Sequence, residues 1–393
     1  MSANPSTPRR ALRSFWIAGY DGADHLDLSG KPCSVADLTQ HSRLASVDYA
    51  RLREFGIRTV RETVGWRIVD RGQGRYDFRS LDARVAAARD QGLQVAWTLC
   101  HYGWPEGLDP LSDRFPEAFA RYARAVALYL LDHGDAVPVY TPIEELSYLA
   151  WSVSSGEIRA DASLRGKGYD LKRAFVRAAM AAMDAIRSVD PRARFLHTDP
   201  LMHVVAPAGR PDLQGAAADF CERQFAAWDL FAGRLEPDLG GDPRYLDLLG
   251  VNYFWGSQWE LGSGKPLGWR IDDPRRKPLA ELLENVYLRY GRPLVISETG
   301  HVGVERGAWV KEIAAEVREA RTRGLPIEGI GLPIIDRPDL HNPALWHSSG
   351  LWELAPQADG ELERRLNGPY ARAVQDAQAI TGARPKLPRL QNH

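Results

Sequence analysis

Eight short apolar runs rich in β-branched residues recur along the 393-residue chain, each separated from the next by a segment long enough for a helix. They span Phe15 to Tyr20, Ile57 to Arg61, Leu93 to His101, Val137 to Thr141, Arg194 to Thr198, Leu246 to Tyr253, Pro293 to Glu298 and Ile327 to Ile335. The intervening segments carry helical periodicity, among them Phe115 to Leu131 and Leu171 to Val189. Two others, Leu81 to Arg89 and Val310 to Arg323, run out at Gly92 and Gly324, where a helix C-cap favours glycine. Eight βα units with no compositional break predict one closed (β/α)8 barrel over residues 15–383, because an open doubly wound sheet has no reason to stop at eight. Residues 1–14 and 384–393 read as flexible tails.

Lys plus Arg total 50 and Asp plus Glu 51, so the formal charge of −1 lacks the basic excess of a nucleic-acid binder. No Lys/Arg run reads as a membrane patch, and the longest apolar stretches, such as that around Val126 to Leu131, fall far short of the ~20 residues of a membrane span. The first fourteen residues are polar and basic without an apolar core, which argues against a secretory signal. Cys33, Cys100 and Cys221 form no CxxC pair, so neither a disulfide framework nor a thiolate zinc site is expected, and a reducing cytoplasm fits. No GxGxxG or GxxxxGKS/T run follows a predicted strand, which removes the dinucleotide and phosphate-loop readings and leaves no cofactor implied.

In a barrel, chemistry collects where the strands run out at their C-terminal ends. Here those ends carry Arg61, followed by Trp66; His101, Tyr102 and Trp104; Glu144 and Glu145; Asn252 and Tyr253; Glu298; and Asp336 with Arg337, with Trp346 further on. Neither His101 nor His301 belongs to an HxH or HxxxH pair, so no metal cage is expected. Two carboxylates on different strands of one mouth are what glycosidic cleavage needs, one protonated to assist the leaving oxygen and one ionised to attack the sugar carbon. Glu145 and Glu298, at the ends of strands four and seven, are the candidate pair.

The strand ends resemble those of the retaining (β/α)8 glycosidases of clan A. From Phe15 to about Leu354 the chain is similar to glycoside hydrolase family 1 β-glucosidases and their divergent bacterial relatives. Arg61 with Trp66, the HYGWP run from His101, LLGVNYFW around Asn252, VISETG from Val295 and the region from Trp346 to Trp352 match landmarks of that group in order. The resemblance implies a retaining β-glycosidase with Glu298 as nucleophile, Arg61 and Tyr253 orienting it, and His101, Trp104, Glu144, Asn252 and Trp346 binding the sugar of a small-molecule glycoside. The partners expected are small molecules, with neither nucleic acid nor membrane among them, and the oligomeric state is left open.

One departure stands out. The clan places Asn before the acid/base Glu of strand four, whereas this chain reads TPIEEL from Thr141. Aligned with relatives that carry Thr-Pro-Val-Asn-Glu, Glu145 becomes the acid/base and Glu144 takes the Asn position; the stricter Thr-x-Asn-Glu spacing would make Glu144 the acid. The first alignment is preferred because it exchanges one polar group for another. A carboxylate at 144 crowds negative charge beside Glu145 and Glu298, which raises at least one pKa. It leaves two readings open: pairing with an ammonium group at C2 of an amino sugar, or altered catalysis. Three activities therefore stand at this stage: hydrolysis, a repurposed biosynthetic enzyme performing transglycosylation or acetal remodelling, and a sugar-binding barrel that does not hydrolyse.

Overall fold

The computed structural model describes residues 10–133, 137–270 and 273–382. The eight expected strands form a closed parallel barrel in sequence order: β1 Trp16–Gly19, β2 Thr59–Thr63, β3 Gln94–Cys100, β4 Val139–Ile143, β5 Arg194–Pro200, β6 Leu248–Asn252, β7 Leu294–Glu298 and β8 Ile327–Pro333. The ring closes where Trp16 pairs with Ile330 on one side of β1 and Ile17 pairs with Thr59 on the other. The chain is thus a (β/α)8 barrel.

The outer ring comprises α1 His41–Arg51, α2 Arg79–Gln91, α3 Arg114–His133, α4 Gly168–Val189, the short α5 Ala226–Phe231, α6 Leu279–Tyr290, α7 Arg306–Thr322 and α8 Gly368–Ile380. Helix α3 shows why these segments lie flat on the barrel: Phe115, Phe119, Tyr122, Val126 and Leu130 recur at helical spacing and are all buried. Gly92 and Gly291 end α2 and α6 in the left-handed conformation that glycine adopts without steric cost.

Period-two alternation divides every strand between the barrel interior and the helical layer. Ile17, Ala96, Val139, Leu196, Leu248 and Val295 fill the floor of the barrel. Ala11 and Leu12 join that cluster, 3% and 4% exposed. Ala11 and Leu12, read from sequence as part of a flexible tail, therefore contribute to the floor, because the open bottom of a barrel needs an apolar plug. Residues 1–9 and the segment 384–393 lie outside the described residues. No helix among the described residues is long and apolar enough to cross a membrane.

Candidate active site

Four strands contribute to one path of hydrogen bonds at the barrel mouth. Arg61 of β2 spans the interior: its Nη1 donates to Glu298 Oε1 at 3.0 Å and to the Ser297 carbonyl at 3.1 Å, while Nη2 donates to Glu144 Oε2. Glu144 also accepts from Thr98 Oγ1 at 3.3 Å and from Asn252 Nδ2 at 3.2 Å. The same Asn252 amide donates to Glu145 Oε1 at 2.9 Å, and its Oδ1 accepts from Ser297 Oγ at 2.6 Å. A connection thus runs from Glu298 through Arg61, Glu144 and Asn252 to Glu145.

The backbone after β4 explains how two adjacent glutamates come to face different surroundings. The Glu144 N–H donates to the Cys100 carbonyl at 2.9 Å, still in the manner of a strand. Glu145 then enters the left-handed region at φ 43° and opens the helix Leu146–Ser155, its carbonyl accepting from Leu149 N–H at 2.8 Å. Glu144 is left sealed inside at 1% exposure, and Glu145 is half-buried. Tyr102, at φ 75°, is a second non-glycine residue in this costly region, and its hydroxyl donates to Glu145 Oε2 at 2.7 Å. Two residues with this costly backbone thus have side chains that bond one another at the barrel mouth, a pattern in keeping with a functional site.

A narrow cleft of about 20 Å³, room for about one water, opens beside Glu298 and is lined by Asp21, Phe254, Ser297, Pro333 and Arg337. Arg337 Nη1 donates to Asp21 Oδ2 at 2.8 Å. Arg337 therefore pairs with the end of β1 and not with its neighbour Asp336, which accepts from the Gly350 and Leu354 backbone.

Burial pushes the Glu298 carboxyl up to about 7; the Arg61 and Arg337 charges oppose this, and Glu144 and Asp21 add to it. Burial likewise raises Glu145 to about 7, against the hydrogen bonds from Tyr102 and Asn252 and with the charge of Glu144. Burial would raise Glu144 too, but Arg61, His101 and Asn252 outweigh it and hold this group below the usual carboxylate range. The three carboxyls thus differ in direction: Arg61 favours the charged form of Glu144, while burial disfavours that of Glu145 and Glu298.

Of the residues singled out from sequence, Arg61, Glu144, Glu145, Asn252 and Glu298 are brought together, but two of these, and Tyr253 beside them, differ from expectation. Glu144 is 1% exposed with its oxygens engaged by Arg61, Thr98 and Asn252, and its charge is already paired with Arg61, which weakens the basis for an amino-sugar ammonium. Asn252 is 1% exposed and spends its amide on the two glutamates, not on sugar hydroxyls. Tyr253 does not orient the Glu298 carboxylate: strand alternation turns it outward, where its ring stacks on Trp309 at 5.9 Å and its hydroxyl accepts from Gln258 at 2.7 Å and Arg276 at 3.1 Å. Only its backbone N–H reaches the Glu298 carbonyl, and it is Phe254, without a hydroxyl, that lines the cleft.

The aromatic expectations also divide. His101 stays at the mouth, buried, with Nδ1 3.3 Å from Thr63 Oγ1 and 3.9 Å from Asp21 Oδ1. Trp104 packs between Phe115 and Phe175, and its indole N–H donates to the Leu108 carbonyl at 3.1 Å, so it anchors a loop on α3 and α4. Trp66 is stacked on Tyr122 in the core. Trp346, 42% exposed, sits on a small antiparallel pair formed by Arg337–Pro338 and Trp346–His347, without a contact to the carboxylates. Asp21, Thr98 and Ser297 were not picked out as site residues from sequence: Asp21 and Thr98 stand in no motif, and within VISETG only Glu298 was given a role.

No protein-family model matches the sequence, and no curated protein does. Among solved structures the chain is similar to the β-glycosidase BGL167, at 17% identity and TM-score 0.71, covering 98% of this chain and 99% of that one. The AHE enzyme from Alicyclobacillus herbarius superposes at TM-score 0.75 with 18% identity, covering 94% and 98%. The family 1 β-glucosidase from Thermotoga maritima does so at TM-score 0.72 with 13% identity, covering 95% and 98%. The fold is that of the (β/α)8 β-glycosidases across nearly the whole chain.

Proposed function

We propose that this chain is a retaining β-glycosidase acting on a small-molecule β-glycoside through a covalent glycosyl-enzyme. One observation carries the reading: two carboxylates at the ends of β4 and β7 share a mouth, one bonded to Arg61 and the other, half-buried, to Tyr102 and Asn252. In the first step Glu298 attacks the anomeric carbon as the bond to the aglycone oxygen breaks, and Glu145 donates its proton to that oxygen. In the second, Glu145 takes a proton from water, the water oxygen attacks the same carbon, and Glu298 leaves as a carboxylate. The β-glucosidase and β-glycosidase neighbours support the reading at the level of fold.

Glu145 is assigned as the acid/base in preference to Glu144, because an acid that donates at the bond being cut must be accessible, and Glu145 is partly exposed. Glu144 is sealed against Arg61. The test is a panel of aryl β-glycosides with the Glu298→Gln protein as control: turnover that disappears in the variant is expected, and turnover that survives it sinks the reading.

A second reading is glycosyl transfer, in which an acceptor alcohol takes the place of water in the second displacement. Transfer product that outweighs hydrolysis in the presence of an added alcohol distinguishes the two.

A further inference from the structure

Arg61 has one guanidinium and two carboxylate partners. Its Nη1 reaches Glu298 Oε1 at 3.0 Å and its Nη2 donates to Glu144 Oε2, with the Arg61 and Glu144 side chains 5% and 1% exposed against 25% for Glu298. An arginine that served Glu298 alone would direct its whole charge at the nucleophile. Glu144 diverts that charge to a group inside the barrel and sets a second negative charge near Glu298. We propose that Glu144 is a positioning residue which, by competing with Glu298 for Arg61, sets how fully the nucleophile is ionised. This rests on the glycosidase reading for its consequence, but not for its electrostatics.

The groups that face Glu298 come from four directions: Arg61 from β2, Glu144 from β4, Arg337 from the segment after β8 and Asp21 from the end of β1. The two arginines favour its charged form and the two acids oppose it. Asp21 and Arg337 are bonded to one another at 2.8 Å and largely cancel, which leaves the contest to Arg61 and Glu144. Around Glu144 stand Arg61, His101 and Asn252, together with Glu145, on which Glu144 also acts. Burial is the largest cause of the raised Glu298 pKa and the charge of Glu144 adds to it, while Arg61 is the largest of the influences that hold Glu144 low.

Replacing Glu144 by a neutral side chain removes the repulsion and returns Arg61 to Glu298. Glu298 then ionises at lower pH, and the acidic limb of kcat/KM moves down. Glu145 loses a smaller repulsion, so the alkaline limb moves down by less. The test is a 13C titration of side-chain-labelled glutamates in the full chain, with the Glu298 resonance assigned by its absence from Glu298→Gln. In Glu144→Gln and Glu144→Asn the Glu298 midpoint is expected to fall by about one pH unit or more. Glu144→Asp, which keeps the charge, is expected to return it toward the starting value. At pH 5.5 the neutral variants are expected to gain roughly tenfold in kcat/KM relative to the parent, the scale of a one-unit shift in a required ionisation.

A Glu298 midpoint that does not move in the neutral variants overturns the proposal, whatever happens to turnover. If both variants fail to fold, the parent protein decides it: a Glu298 that is fully ionised at pH 5.5 leaves nothing for Glu144 to control. Absence of turnover on every glycoside, with the midpoint shift intact, contradicts the glycosidase reading and leaves this inference standing.

Discussion

Glu62 and Glu298 are buried or nearly buried carboxylates on strands of the same barrel, each bonded to an arginine, and they have opposite characters. Glu62 follows Arg61 on β2, so alternation points it outward into the helical layer. There Oε1 is bonded to His41 at 2.7 Å and accepts from Tyr49 at 2.7 Å, and Oε2 accepts from Arg84 at 3.0 Å. His41 is held in turn by Asp48, which is bonded to Arg364 at 2.9 Å. Burial would raise the Glu62 pKa, but His41, Arg84 and Tyr49 bring it below the ordinary value. Glu298 has only a share of Arg61 and rises to about 7. Supply of donors, more than burial, separates a structural charge from a reactive one.

The largest effect is expected where the donor-poor groups act. Glu145→Gln should cost about 10² to 10⁴ in kcat/KM for glycosides with poor leaving groups, the usual worth of general acid catalysis, and much less for activated aryl leaving groups that depart without a proton. An equal loss for both kinds, measured across a leaving-group series, would break the assignment.

The converse experiment is Glu62→Gln. Leaving a buried partner uncompensated is expected to destabilise the fold by about 3 to 5 kcal/mol, with kcat per folded molecule unchanged. Because the folded pKa of Glu62 lies below its unfolded value, this stabilisation is present above about pH 4 and is lost as pH falls. Denaturant unfolding at pH 7 and pH 3.5 should therefore show a deficit that shrinks in acid. A deficit that is constant with pH would contradict the role given to its charge.

Asp24 sharpens the comparison from another side. It is fully buried without a side-chain partner for either oxygen, and burial pushes its pKa up to about 8. Donor-poor like Glu298 but sealed from the cleft, it has no route to a substrate. A carboxyl raised on folding costs nothing below its unfolded pKa and progressively more as pH climbs toward its folded value. Asp24→Asn is expected to stabilise the protein by roughly 1 to 3 kcal/mol at pH 7.5 and to change little at pH 4, as read from thermal unfolding.

The smallest effect is expected from Tyr102→Phe. Its hydroxyl lowers the Glu145 pKa, so its removal should move the alkaline limb of the pH profile upward, by about one unit or less. A downward move would mean that Tyr102 holds the neutral acid instead.

What the sequence disclosed and what it hid follow the same division. The eight strands were legible because barrel strands buried on both faces are continuous apolar runs, and Arg61, Glu145 and Glu298 stood out as charged residues within or just beyond them. The partnership of Arg61 with Glu144 was not, since it joins β2 to β4 across the barrel and depends on the left-handed turn at Glu145. Tyr253 was misdirected because it stands next to Asn252, and neighbours on a strand face opposite ways. Asp21 and Arg337 lie at opposite ends of the chain, and only closure of the ring pairs them.

The nucleophile can be tested by chemical capture. A 2-deoxy-2-fluoro β-glycoside with an activated leaving group, of the sugar found in the aryl-glycoside panel, slows the second step and lets a glycosyl-enzyme accumulate. Mass spectrometry of the digested protein is expected to find the sugar on the peptide carrying Glu298, and nothing on that peptide in Glu298→Gln. Label on Glu144 or Glu145, or turnover without any labelled peptide, would contradict a double displacement through Glu298.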